Sequence, residues 1–196
     1  MDIVSALGGI GAAFGLSTSA GLNAYIPLLI VALAGRFPAA NPVLTLGEPF
    51  NVLSNGWVIG ILVVLLLIEM LVDKVPAVDT INDVIQTVIR PAAGAVLFAA
   101  NANVITDISP ILAVVAGLLV AGSVHATKGA VRPVVTATTA GTGNWVVSIA
   151  EDVVAFFMSI LALIVPILMA IVAVLFLFLL VTFYVRRRRR QDKLAF

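Results

Sequence analysis

Outside the basic tail, most of the charged side chains in this chain fall in two tight groups. Glu69, Asp73, Lys74, Asp79, Asp83 and Arg90 form one; His125, Lys128, Arg132, Glu151 and Asp152 form the other. Each lies at or near the end of an apolar run, where a charge has to be buried, paired or wetted. Carboxylates set beside guanidinium and ammonium groups form ion pairs. With one histidine among them, they can also move a proton or bind a cation or small polar solute.

The spacing says how these groups are presented. Asp79, Asp83, Gln86, Arg90 and Gly94 recur at intervals of four, three, four and four, which puts them on one helical face. Ile81, Ile85, Val88, Ala92 and Val96 occupy the other faces. His125, Lys128 and Arg132 share a face in the same way. Arg90 lies eleven residues past Asp79, ~16 Å along a helix and close to mid-membrane. A charge at that depth costs at least ~2.5–3.5 kcal/mol on insertion scales and needs a partner or water. Glu69, one helical turn from Asp73, is its natural counter-ion. Pro91 removes one backbone donor and is expected to kink the helix.

Two readings of the charges follow. Four bases (Lys74, Arg90, Lys128, Arg132) against six acids (Glu69, Asp73, Asp79, Asp83, Glu151, Asp152) largely satisfy one another, as a packing network would. The surplus acids and His125 point instead to a water-accessible site. Enzymatic motifs are absent: there is no His-Glu-x-x-His, no Gly-x-Ser-x-Gly and no phosphate-cradling glycine loop. Asp79-x-x-x-Asp83 is a lone carboxylate pair, too little to assign a metal. No cofactor, metal or catalytic residue is expected.

The elements that hold these groups are apolar. Of 196 residues 62% are hydrophobic and 11% charged, and mean hydropathy is +1.19. Soluble domains carry roughly 25% charged residues. Ile167 to Val185 contains no Asp, Glu, Lys, Arg or His and is long enough to cross ~30 Å of hydrocarbon. Cysteine is absent, which excludes disulfides and thiolate chemistry. Met1-Asp2-Ile3 lacks the basic start of a signal peptide, so the first apolar stretch is expected to stay in the mature chain.

The fold class expected is all-α: a polytopic transmembrane bundle of six or seven short spans, forming one domain over 1–185. A basic tail occupies 186–196. Segments 3–16 and 23–35 are expected to meet at a break, Ser17–Asn23, followed by a loop from Phe37 to Gly56. Spans then run from Trp57 to Val75, Asp79 to Ala100 and Ile108 to about Thr127, with a Thr/Gly-rich connector at Thr136–Asn144. Val146 to Val185 is divided by Pro166. Placing Arg186–Arg190, Lys128, Arg132 and Lys74 on the cytoplasmic side favours a hairpin there, with Arg36 as the exception. A weak internal echo links Thr18-Ser19-Ala20-Gly21 and Tyr25 to Thr138-Thr139-Ala140-Gly141 and Trp145, the kind of duplication transporters use. Spacings such as Gly8-x-x-Gly11, Gly11-x-x-x-Gly15 and Gly117-x-x-x-x-Gly122 suit close helix packing.

Several segments stand out as motifs: Glu69-Met-Leu-Val-Asp73-Lys74-Val-Pro76-Ala-Val-Asp79, Asp83, Arg90-Pro91-Ala-Ala-Gly94, His125-Ala-Thr-Lys128-Gly-Ala-Val-Arg132 and Ser148-Ile-Ala-Glu151-Asp152-Val153, with Gly15 and the break before Pro27. On these residues the chain resembles a family of small bacterial membrane proteins known as domain of unknown function 4126. The resemblance implies an all-helical membrane fold and no mechanism.

The functional expectation is permeation or transport of an ion or small polar solute through a charged, cytoplasm-facing site. The alternative is a non-catalytic accessory subunit docking on a larger membrane complex, an energy-transducing (respiratory) one for example. There Leu175, Phe176, Leu179 and Phe183 would face the partner. Expected partners are the lipid bilayer and a larger complex or a homo-oligomer, with no nucleic acid. The expected location is the bacterial cytoplasmic (inner) membrane, multi-pass, with a cytoplasmic C-terminus.

Overall fold

A computed structural model describes residues 3–40, 43–72, 76–102, 107, 109–139, 142–175, 178 and 182, with side chains in the 76–102 segment from 82 onward. The helices are α1 (Ile3–Leu22), α2 (Tyr25–Arg36), α3 (Gly56–Val72), α4 (Pro76–Asn101), α5 (Pro110–Thr139), α6 (Thr142–Ile164) and α7 (Pro166–Leu175). A short 3-10 turn, Phe50–Ser54, precedes α3. No strand occurs among the described residues. Four helical segments, Ile3–Leu22, Asn82–Asn101, Pro110–Thr139 and Thr142–Ile164, are long and apolar enough to cross a membrane. Helices α2, α3 and α7 are shorter and apolar.

Helix α1 runs through the break expected at Ser17, because its hydroxyls bond away from its own free backbone groups. Ser17 Oγ donates to the Gly94 carbonyl of α4 at 2.8 Å, and Ser19 Oγ lies 2.7 Å from the Ala155 carbonyl of α6. Thr18 Oγ1 bonds one turn back, to Phe14. A serine bonded to a neighbouring helix no longer competes for local backbone. The interruption shrinks to Asn23 and Ala24. Asn23 Oδ1 accepts from the Tyr25 and Ile26 N–H groups at 3.0 and 3.1 Å, supplying acceptors that the first turn of α2 lacks. Pro27, in that same turn, has no N–H to lose a partner.

Helices α1, α4, α5 and α6 make the interior, with α2 and α3 on one flank. Glycine lets α4 and α5 touch through their backbones. A Cβ on Gly117 would sit 2.6 Å from Phe98 Cβ and 2.7 Å from Ala95 Cα, and one on Gly94 would meet Ala121. Gly8, Gly11 and Gly15 face α6 and α7 in the same manner. Gly122 is looser, in ordinary contact with Pro91. Helix α4 stays helical through Pro91.

The boundaries around α5 differ from the expected ones. Helix α5 continues past Thr127 to Thr139, 30 residues, because Lys128 and Arg132 on its buried stripe each meet an acid instead of ending the span. That stripe, Ala113, Gly117, Ala121, His125, Lys128 and Arg132, is small in one half and ionisable in the other. The expected connector at Thr136–Asn144 is accordingly mostly helical, with Thr136 and Asn144 hydrogen-bonded across it. The echoed segments close α1 and α5, but Tyr25 is buried where Trp145 is half exposed, and Ala140 and Gly141 lie outside the described residues.

At Pro166 the chain turns back. Helix α6 runs antiparallel to α1: Ala155 and Ser159 meet Ser19, Ala162 meets Gly15, and Pro166 meets Gly8. Helix α7 then retraces that path, Ala170 against Gly11 and Met169 against Gly15. One residue, Val165, separates the two helices, and Pro166 opens α7 where its missing N–H costs nothing. The segment 186–196, with Phe176, Leu179 and Phe183, lies outside the described residues.

The outward faces are apolar, as Ile111, Leu119, Val134, Val88 and Ile85 show by their exposure. Trp57 stands almost fully exposed at the start of α3. A surface of this composition suits lipid as its solvent.

Candidate functional site

The charged residues gather into a belt whose links each join different elements. Arg90 Nη2 of α4 donates to Glu69 Oε1 of α3 at 2.9 Å. Arg132 of α5 meets Asp83 of α4 at 2.5 Å. Lys128 Nζ of α5 lies 2.7 Å from Glu151 Oε2 of α6, off the line of a well-formed hydrogen bond, so the contact is one of charge. Asn23, at the α1–α2 junction, donates from Nδ2 to Asp152 Oδ1 of α6 at 2.9 Å. The links run α3, α4, α5, α6 and back to α1 and α2, which packs on α3.

Sequence periodicity makes the belt possible. On α3 the buried residues are Leu62 and Glu69, seven apart and therefore on one face of an otherwise lipid-facing helix. On α4, Gln86 and Arg90 are buried while Ile85 and Val88 point outward. On α5, steps of four, three and four carry the stripe from Ala121 to His125, Lys128 and Arg132.

The belt is dry at its centre. Arg90 and Glu69 are 1% and 2% exposed, and Gln86 is 1% exposed. Removing such groups from water costs several kcal/mol per ion, repaid only when every donor and acceptor finds a partner. Arg90 does not meet that condition. Among the described residues its Nε and Nη1 have no hydrogen-bond partner. Gln86 Oε1 and His125 Nδ1 are in the same state. The opposite edge of His125 is held, Nε2 lying 3.1 Å from Thr87 Oγ1. Tyr25 adds its hydroxyl beside Gln86, near Glu69 and Arg90. Chemically, the centre offers buried guanidinium N–H donors together with carbonyl and imidazole acceptors.

Of the residues expected at the site, Glu69, Asp83, Arg90, His125, Lys128, Arg132, Glu151 and Asp152 are brought together. Asp73, Lys74 and the Asp79 side chain lie outside the described residues. No group of three His, Asp or Glu side chains that could hold a metal occurs among the described residues. Sequence reasoning missed Asn23, Tyr25, Ser17, Ser19 and Ser159. The Ser17–Asn23 cluster was visible as a polar interruption, but its role as glue to α4 and α6 depends on which helices stand opposite.

Beside the belt lies a cavity of about 600 Å³ between α1, α5, α6 and α7. Phe14, Leu119, Met158, Met169 and Val172 line its body, and Lys128 and Glu151 lie at its wall.

No curated protein and no solved structure matches the chain. A family profile does match, over residues 10–186, and its span takes in every member of the belt. The chain belongs to that family, the domain of unknown function DUF4126.

Proposed function

We propose that the protein passes an ion or small polar solute across the bacterial cytoplasmic membrane, with the belt as its selective site. One observation carries the reading: Arg90, buried among helices, has partners for only part of its guanidinium. A buried donor without an acceptor costs about 1–3 kcal/mol, more when charged. Inside lipid that cost is relieved by water or by a solute oxygen. Arg90 then supplies donors, Gln86 and His125 supply the complementary edge, and Glu69 fixes the guanidinium. The pairs Asp83–Arg132 and Lys128–Glu151 flank the path. The tail Arg186–Arg190 holds the C-terminus in the cytoplasm. The protein has no catalytic role in this scheme. Docking on a larger complex gains no particular support, since lipid covers the same apolar faces.

The test is flux in reconstituted vesicles. Proton entry is followed with an internal dye, and entry of urea, glycerol and small ions by light scattering. At least one permeant should enter faster than through protein-free vesicles, and Glu69→Gln and Arg90→Ala should each abolish the difference. Rates equal to those of empty vesicles, or unchanged in both variants, overturn the proposal.

A further inference from the structure

The cavity between α1, α5, α6 and α7 has a chemistry of its own. Its volume, about 600 Å³, falls within the ~300–1,000 Å³ range of sites that hold one small ligand. Its body is apolar, lined by Phe14, Leu119, Met158, Met169 and Val172. Polar atoms enter at few points. The hydroxyls of Thr18, Ser123 and Thr127 also line it, each donating its proton to a carbonyl of its own helix. They therefore face the cavity as acceptors only. Lys128 lines it too, nearly buried, its ammonium 2.7 Å from a Glu151 carboxylate oxygen and carrying three N–H donors.

An occupant must match that pattern. It needs a long apolar body, one acceptor for the Lys128 N–H groups and one donor for a hydroxyl lone pair or Glu151. It must also be uncharged at its head. The Lys128–Glu151 pair is already neutral, and a further charge in low dielectric carries an uncompensated desolvation cost. A hydroxyl provides donor and acceptor together with no charge.

We propose that this cavity binds a single-chain neutral amphiphile with a hydroxyl head, a long-chain alcohol in chemical class. The head sits at Lys128–Glu151, and the chain lies along Leu119, Met158, Met169 and Val172. The site shares Lys128 and Glu151 with the flank of the proposed solute path, but it needs no wet route at Arg90 and stands if that path fails.

The test uses the full chain in vesicles with a hexadecanol that carries a photoreactive diazirine in mid-chain. Adducts are mapped by peptide mass spectrometry, with unlabelled hexadecanol, palmitate and hexadecylammonium as competitors. Labelling should saturate, concentrate on Leu119, Met158 and Met169, and yield to hexadecanol at about tenfold lower concentration than to either charged competitor, a difference near 1.4 kcal/mol. Ala173→Phe and Val120→Trp each fill the cavity from a half-exposed position and should remove the saturable labelling. If one fails to fold, the other keeps the test intact. The double variant Lys128→Gln with Glu151→Gln should still label but lose its preference for the neutral head. Adducts spread over all outward faces, equal competition by the three amphiphiles, or labelling that survives both filling variants overturns the proposal. Cross-links between two copies through Met169 or Val172 overturn it as well.

Discussion

Replacing Glu69 by Gln keeps the shape of the side chain but leaves Arg90 without its counter-charge. The pair is 2.9 Å apart and both groups are 1–2% exposed, so water does not repair the loss. Breaking a buried pair from one side costs about 3–5 kcal/mol, a drop of about a hundred- to a few thousand-fold in the folding equilibrium. Arg90→Met strands Glu69 and should cost a similar amount. Removing both charges is another matter. The double variant Glu69→Gln with Arg90→Met should recover most of the loss, because an apolar substitute for a buried pair is about neutral or stabilising by ~1–4 kcal/mol. Reversible unfolding in mixed micelles, followed by helical circular dichroism, measures the three free energies and the coupling between the positions. Flux measured on the same proteins separates structure from function. A double variant that is stable and impermeable places the charges in the path. One that is stable and still permeable confines them to packing and refutes the proposed site. A loss below about 1 kcal/mol for Glu69→Gln alone refutes the dry centre itself, since that is the size of an exposed pair.

Other outcomes follow from the same geometry. Gly117→Ala places a methyl 2.6–2.7 Å from Phe98 and Ala95, and should lower stability by about 1–3 kcal/mol in the same unfolding assay. Gly60→Ala, facing open space inside α3, should leave stability unchanged or raise it by ~0.5–1 kcal/mol. Asn23→Ala removes the one oxygen that accepts from two N–H groups at the start of α2, and the donor to Asp152, and should cost about 1–2 kcal/mol. The cysteine-free background permits accessibility labelling. Ser54→Cys should react with an impermeant maleimide from outside the cell, and Gln191→Cys only after permeabilisation; the reverse pattern overturns the proposed orientation.

The sequence disclosed faces better than it disclosed depths. Spacing alone placed Gln86 and Arg90 on one side of α4, and His125, Lys128 and Arg132 on one side of α5, because a helix fixes angle per residue whatever surrounds it. Glu69 was identifiable as the counter-ion to Arg90, since each is the deepest charge on its helix. Helix ends were less legible. Ser17 and Ser19 read as breakers because their hydroxyls compete for backbone in isolation. They are harmless in α1, where Gly94 and Ala155 carbonyls take the protons. Lys128 and Arg132 read as the end of a span, because a lone cation belongs at an interface. Opposite Glu151 and Asp83 they stay inside a longer helix. In each case the missing information was the identity of the neighbour, which periodicity does not carry.

The glycines and the charges belong to one arrangement. Gly94 on α4 and Gly117 and Ala121 on α5 bring the two backbones together, and one or two turns away the same faces carry Arg90 and Gln86 opposite His125. Backbones packed that closely leave little room for water between them. Arg90 is therefore held dry by residues that carry no charge, and its unpartnered N–H groups follow from how tightly the small residues close the bundle. A slight separation of α4 from α5 would admit water to Arg90, Gln86 and His125 together. Enlarging Gly94 or Gly117 should accordingly wet the belt as well as destabilise the fold, and a cysteine at Gln86 would report it. Its reaction with a water-soluble thiol reagent should be slow in the native packing and faster by an order of magnitude or more with Gly117→Ala added. Equal rates in the two backgrounds would mean that helix spacing does not control access to the site.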